Sequence, residues 1–222
     1  MASEGAIVLS YGDILLRESD VNLLNDGQWL NDNIIAFWLE YLQNEVYGDH
    51  SESVLFISPS VGHLLKAGDP EDAQSILESM CLSKKELIFL PINDCTSAEA
   101  MGGSHWSLLV YCSAPWGFQH YDSHTGSVNL LYAERVACLI APYVGKEYDP
   151  NQIVQVLEME CTQQHNSYDC GIHVICNTEA ICRKHFLNDS RHISDIVSSE
   201  TLFKARQDLR NLIYSLQGKT SV

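Results

Sequence analysis

The sequence predicts an α+β domain with a central, mostly antiparallel sheet and helices at both ends. Three observations carry this expectation. Helical periodicity is heaviest towards the two ends, short β-rich runs follow one another in the middle, and turn signals separate those runs. No linker, internal repeat or charge block interrupts the 222 residues. One domain over 1–222 is therefore expected, with residues 1–6 and 218–222 frayed.

Taken in order, "WLNDNIIAFWLEYLQNEVY" places Ile34, Ile35, Trp38, Leu39, Tyr41 and Leu42 on a broad helical stripe. Asn31 or Asp32 stands where the N-cap belongs. "DPEDAQSILESM" predicts a short helix whose first-turn acids suit the helix dipole. "ELIFLPI", "HWSLLVYC" and "GFQHYD" predict strands, being short, rich in strand-forming residues and bounded by turns. Between the first two, "NDCTSAEAMGGS" is polar and ends in glycines, which predicts a mobile loop. "SVNLLYAERVACLIAPYV" returns to helical spacing, and "QIVQVLEM" predicts the last strand. "DCGIHVICNTEAICRKHF" and "SSETLFKARQDLRNLIYSL" predict closing helices, the first apolar on more than one side and hence buried.

Charge narrows the partners. Thirteen Lys and Arg against 29 Asp and Glu give a net charge of −16. A surface this acidic repels nucleic acid and anionic membranes and attracts basic partners. "MASEGAIVLSYGD" has no basic leader, and "RVACLIAPYV" is too short to span a bilayer and is broken by Pro142. A monomeric intracellular protein, in cytoplasm or nucleus and with reduced thiols, is expected. The eight cysteines include no Cys-x-x-Cys pair. His173 and Cys176 share a helix face near His165, which falls short of a zinc pattern, so neither metal nor cofactor is expected.

A cysteine nucleophile needs a base and something to orient that base. Cys170 opens the most buried predicted helix, where unpaired N–H groups and the helix dipole stabilise negative charge. Gly171 keeps the approach to the sulfur bare. His105 begins one predicted strand and Asp122 ends the next, so a carboxylate and an imidazole can meet at neighbouring strand ends. Against this, a free Cys is commonly a buried small hydrophobe, and "YD" before a turn is commonly only a turn. Cys95, in the loop, is a rival thiol that lacks a helix start to stabilise a thiolate. Gln164, shortly before Cys170, offers an amide donor for an oxyanion; Gln163 is its neighbour and rival.

"GGSHWSLLVY", "HYDSH" and "QQHNSYDCG", with "QWLND" near the N-terminus, resemble the blocks of the Ulp/sentrin-specific cysteine proteases, which process ubiquitin-like modifiers. "LSYGDILLRESDVNLLN", "NSYDCG" and "VICNTEAIC" are similar to the deneddylase branch of that family. The resemblance implies a papain-like α+β fold of the Ulp type. It implies His105 as base, Asp122 as orienter, Cys170 as nucleophile and Gln164, at the family's distance from the Cys, as oxyanion donor. Trp29 and Trp106 would cover the channel for a modifier's Gly-Gly tail, where flat walls must position residues that offer no side chain. Asp32 would cap a helix or meet a basic residue of the tail, with Asn93 and Gly103 bordering the same channel. The loop 93–103 would act as a lid. The implied substrate is the Nedd-eight (Rub) modifier, as precursor and as conjugates on target lysines such as those of cullins. SUMO, ubiquitin and mere modifier binding are the alternatives. One departure is His165, where the deneddylase pattern has Gln, which brings a group sensitive to pH near the channel.

Overall fold

The chain opens on a hairpin, β1 (Ile7–Tyr11) and β2 (Ile14–Arg17), turned at Gly12 with φ +51°. The sequence reading assigned no element here. The strands have five and four residues with broken alternation, too little pattern to stand out. The computed structural model describes residues 5–97, 102–145, 148–151 and 153–220. Of the expected frayed ends, residues 1–4, 221 and 222 lie outside these. Within them, Glu18 N–H donates to the Ala6 carbonyl, and the last helix continues to Thr220.

Two helices follow, α1 (Glu18–Asn22) and α2 (Asp32–Tyr41). Asn31, not Asp32, caps α2: its Oδ1 accepts from Ile34 N at 3.1 Å. A π-helical turn over Leu42–Val46 extends α2. The main sheet begins with β3 (Val54–Phe56). Then come α3 (Pro59–Ala67), α4 (Pro70–Ser79), β4 (Leu87–Asn93), β5 (Trp106–Ser113) and β6 (Trp116–Tyr121). Helix α5 (Asn129–Ile140), β7 (Val156–Glu158), α6 (Cys170–Phe186), α7 (Ile193–Ile196) and α8 (Ser199–Thr220) complete the chain. The last strand is three residues long, shorter than the expected 152–159.

Strand order is β3-β4-β5-β6-β7. The long central pairings, β4 with β5 and β5 with β6, are antiparallel; the short edge pairings are parallel. Helices cover both faces. Leu87 and Phe89 of β4, with Leu108 and Val110 of β5, join α2, α6 and α8 in one core. Ile88, Leu90 and Ile92, with Leu109 and Tyr111, join α3, α4 and α5 in the other. A strand buried on both faces needs apolar residues at every position, which is why "ELIFLPI" reads as a run rather than an alternation. Pro91 is tolerated in β4 because β3 pairs only as far as Phe89, leaving a single strand neighbour beside the proline.

This framework positions the chemistry. The end of β4, the start of β5 and the end of β6 lie at one edge of the sheet, and α6 starts there.

Candidate active site

His105 immediately precedes β5 and Asp122 immediately follows β6. The antiparallel register, Leu108 opposite Tyr121, brings the two to the same sheet end. His105 Nε2 meets Asp122 Oδ1 at 2.6 Å. The carboxylate is fixed from other directions as well: Oδ1 accepts from His124 N at 2.9 Å and Oδ2 from Ser127 Oγ at 2.6 Å. Burial alone would raise the Asp122 pKa, but the bonds from His105 and Ser127 and the His105 charge hold it below the carboxylate range.

Burial likewise opposes charge on His105. Hydrogen bonds to Asp122 and to the Cys170 thiol, and the charges of both, outweigh it and push the imidazole up to about 9. Because Nε2 is taken by the carboxylate, the ring nitrogen left for the thiol is Nδ1. Carboxylate, imidazole and thiol therefore form one chain of contacts.

Cys170 is the first residue of α6 and is buried. Asp169 does not cap this helix through its side chain. Its carboxylate turns instead to Asn166 Nδ2, at 2.7 Å, and to Arg206. Cys170 thus stands in the first turn of α6, at the positive end of the helix dipole, a favourable place for negative charge. Gly171 has a different reason from the one the sequence suggested. A Cβ there would lie 2.8 Å from Leu30 Cβ, so the glycine lets α6 pack against the α1–α2 connection.

Gln164 and Gln163 separate clearly. Gln164 Nε2 donates to Asn166 O at 2.6 Å and Oε1 accepts from Ser123 Oγ at 2.7 Å. A carbonyl can only accept, which fixes the amide's orientation and leaves its second N–H uncommitted by these bonds. Gln163 points elsewhere, with Nε2 on Asp122 O at 2.9 Å and Oε1 accepting from Thr125 Oγ1. His165 is exposed.

Cys170 and His105 open into a cleft of about 540 Å³ bordered by Trp29, Asp32, Asn93, Gly103 and Trp106. Trp29 is 49% exposed, which leaves a large apolar ring surface open at the cleft. Trp106 is half-buried, and its Nε1 donates to Leu30 O at 3.1 Å, tying the two Trp-bearing segments together. Asn93 Oδ1 accepts from Cys95 N at 2.8 Å. Gly103, at φ +99°, sits so close that a Cβ would fall 2.0 Å from Asn93 Oδ1. Cys95 also borders the cleft. The middle of the segment expected to act as a lid, residues 98–101, lies outside the described residues.

The sequence reading missed the residues that hold these groups still. Asp94 accepts from Ser104 N and Ser104 Oγ, each at 2.6 Å, and from His105 N at 3.1 Å. Despite burial, these bonds hold its carboxyl below the usual value. Asn129, wholly buried, donates to Ser107 Oγ at 3.0 Å and Ile92 O at 3.2 Å, and Ser107 Oγ also meets His120 Nε2 at 2.8 Å. Lys66, also buried, reaches the carbonyls of Asn93 and Cys95 from α3. None of these has a motif; only the Asx-forming "ND" of Asn93 and Asp94 carries a local signal. Among the described residues no group of three His, Cys, Asp or Glu side chains could hold a metal ion. Among the same residues no helix is long and apolar enough to cross a membrane.

The family model described as Ulp1 protease family, C-terminal catalytic domain, matches residues 28–209. The chain belongs to the Ulp1 protease family. The matched span contains all the site residues named above, and the chain is a cysteine protease. It is 42% identical to human sentrin-specific protease 8 over 96% of this chain and 99% of that protein. It is 35% identical to NEDD8-specific protease 1 of Arabidopsis thaliana over 79% of this chain and 75% of that one. Its fold matches the C-terminal Ulp1 protease domain bound to Smt3, the yeast ortholog of SUMO. There the TM-score is 0.67 at 19% identity, over 96% of this chain and 89% of the other. The papain-like α+β expectation of the Ulp type therefore holds for the fold.

Proposed function

We propose that this protease cleaves after the C-terminal Gly-Gly of a NEDD8-type ubiquitin-like modifier. The observation that supports the reading most is the contact of His105 with Asp122 at 2.6 Å beside Cys170, on the floor of a Trp-walled cleft. NEDD8 in particular is suggested by what the similar human and Arabidopsis proteins are named for.

In this mechanism His105, as imidazolium, already holds the proton given up by Cys170, and the thiolate sulfur attacks the terminal glycine carbonyl. The oxyanion is met by the second N–H of Gln164 and by the Cys170 backbone N–H. His105, as imidazolium, then gives its proton to the departing nitrogen, and the C–N bond breaks to leave a thioester. Water, deprotonated by the same imidazole, cleaves the thioester and returns the thiol. Asp122 keeps Nε2–H pointed at itself so that Nδ1 faces the sulfur. Trp29 and Trp106 flank the glycines, whose backbones alone can be gripped, and Asp32, Asn93 and Gly103 border the same path. A peptide extension and a lysine side chain differ only as leaving groups. Maturation of the precursor and removal from lysines, such as those of cullins, are then one reaction in a single domain.

The test is a covalent-trap panel of NEDD8, SUMO and ubiquitin, each carrying a thiol-reactive group after Gly-Gly. An adduct with NEDD8, lost in Cys170→Ala, is expected. An adduct with SUMO or ubiquitin alone would move the specificity. No adduct with any of the three would leave a modifier-binding role in its place.

A further inference from the structure

Arg206, on α8, is not part of the catalytic group, yet it touches two segments that lead into residues lining the cleft. Its guanidinium is largely buried. Nη1 donates to Leu23 O at 2.9 Å and to Asn25 O at 3.2 Å. Nη2 donates to Gln28 O at 2.8 Å, to Tyr168 O at 3.2 Å and to Asp169 Oδ1 at 2.7 Å, and Nε shares that last acceptor at 3.2 Å. The plane also lies over the Tyr168 ring, 5.7 Å from its centroid. A rigid fork with five N–H groups can bridge acceptors on two segments of the chain in a way that an ammonium cannot.

The two segments are not arbitrary. Residues 23–28 connect α1 to α2 and lead directly into Trp29 and Leu30; residues 168 and 169 lead directly into Cys170. Within 23–28 the backbone bonds are short-range turn bonds: Leu23 N to Asp20 O, Leu24 N to Val21 O, Asn25 N to Asn22 O and Gln28 N to Asn25 O, the last at 3.4 Å. Residues 25–29 are exposed. The Asp169 carboxylate that Arg206 holds also accepts from Asn166, whose carbonyl accepts from Gln164 Nε2. One buried cation thus connects the Trp29 wall, the start of the nucleophile's helix and the amide at position 164.

We propose that Arg206 is a positioning residue that sets the spacing between the Trp29 wall and Cys170, and so the width of the tail channel. The inference rests on the reading of the cleft as that channel. Arg206 touches no reacting atom. It acts through Gln28 on one side and Asp169 on the other, neither of which contacts His105 or Asp122.

The experiment compares wild type, Arg206→Met and Arg206→Lys on NEDD8 carrying a fluorogenic amide after Gly-Gly, and on iodoacetamide alkylation of Cys170 read by mass spectrometry. Turnover needs the channel; alkylation needs only the thiol and its base. A misplacement of about 1 Å costs roughly 10²-fold, so kcat/KM for Arg206→Met should fall by about that factor. The alkylation rate should stay within about twofold of wild type. Arg206→Lys, with its donors on one atom, should fall between them, and it carries the test if the Met variant does not fold. In a Trp29→Ala background the Arg206 substitution should cost little more, because both act on one wall. Wild-type turnover in folded Arg206→Met, a parallel fall of alkylation, or full additivity with Trp29→Ala would each overturn the proposal. If wild type itself neither cleaves nor is trapped by any modifier, the reading of the site falls first, and this inference with it.

Discussion

The floor of the cleft and its rim are built in different ways. On the floor, His105, Asp122 and Cys170 sit at the ends of β5, β6 and α6, where sheet register and helix packing fix the backbone before any side chain is considered. At the rim, residues 23–28 and the two ends of the loop around 94–104 lie outside strands and helices. Single side chains reach in from a distance to hold their carbonyls and N–H groups: Arg206 from α8, Lys66 from α3 and Asp94 across the loop base. Regular structure holds the floor in place, and long-range side-chain bonds hold the rim. Damage to the floor should stop the reaction, whereas damage to the rim should loosen the substrate.

The largest expected effect is on the floor. Asp122→Asn should lower kcat by about 10³–10⁴-fold, because the negative charge is lost and the amide can turn its N–H to His105 Nε2 and favour the wrong tautomer while the fold stays. The pH profile sharpens this. In the folded chain His105 keeps its proton to about pH 9 against an ordinary 6.5. The alkaline limb of kcat/KM should therefore lie near 9 in wild type and move to lower pH in Asp122→Asn. The same shifts bear on stability. The raised His105 value contributes fully below 6.5, and that contribution is lost as pH rises through about 9. The lowered Asp122 value contributes fully above 3.8, and that contribution is lost as pH falls from there through the lower value of the folded chain.

Gln164→Ala comes next. As an oxyanion donor it should cost roughly 10²–10³-fold in kcat with little change in KM. Wild-type turnover would remove it from the role. Association with a basic modifier surface, driven by the −16 charge, should slow by on the order of tenfold as salt screens it. A salt-independent rate in stopped-flow would show that the acidity serves another end. The smallest effect belongs to the rim. Lys66→Met strips the Asn93 and Cys95 carbonyls of their donor, at about 1–3 kcal/mol. That corresponds to a fall in Tm of roughly 2–12 °C, with KM moving more than kcat. A kcat loss as large as that of Gln164→Ala would erase the distinction between floor and rim.

The floor was legible in the sequence because its parts follow from local pattern. "HWSLLVYC" and "GFQHYD" each read as a strand, which puts His105 and Asp122 at the strand ends, and the all-round apolar run after Cys170 reads as a buried helix. Gly171 was legible as a necessity but not for its reason, which lies in Leu30, 141 positions away. The opening hairpin, β3 and α3 were missed. Their strands have three to five residues, and their stability comes from the neighbours they pack against rather than from their own periodicity. The rim fasteners were missed for a further reason. Arg206 and Lys66 look like surface residues of amphipathic helices, and an acceptor that is a backbone carbonyl leaves no mark on the sequence.

By itself, then, the sequence determined the long central strands, the buried helix after Cys170 and the residue types of the chemistry, because each is written in spacing over a few neighbouring positions. Tertiary structure alone decided which of two adjacent glutamines has an amide N–H to spare, which of Asn31 and Asp32 caps α2, and what holds Trp29 over the cleft. Those outcomes depend on donors and acceptors brought together from distant parts of the chain, and a hydrogen bond is decided by distance and angle, to which sequence separation is blind.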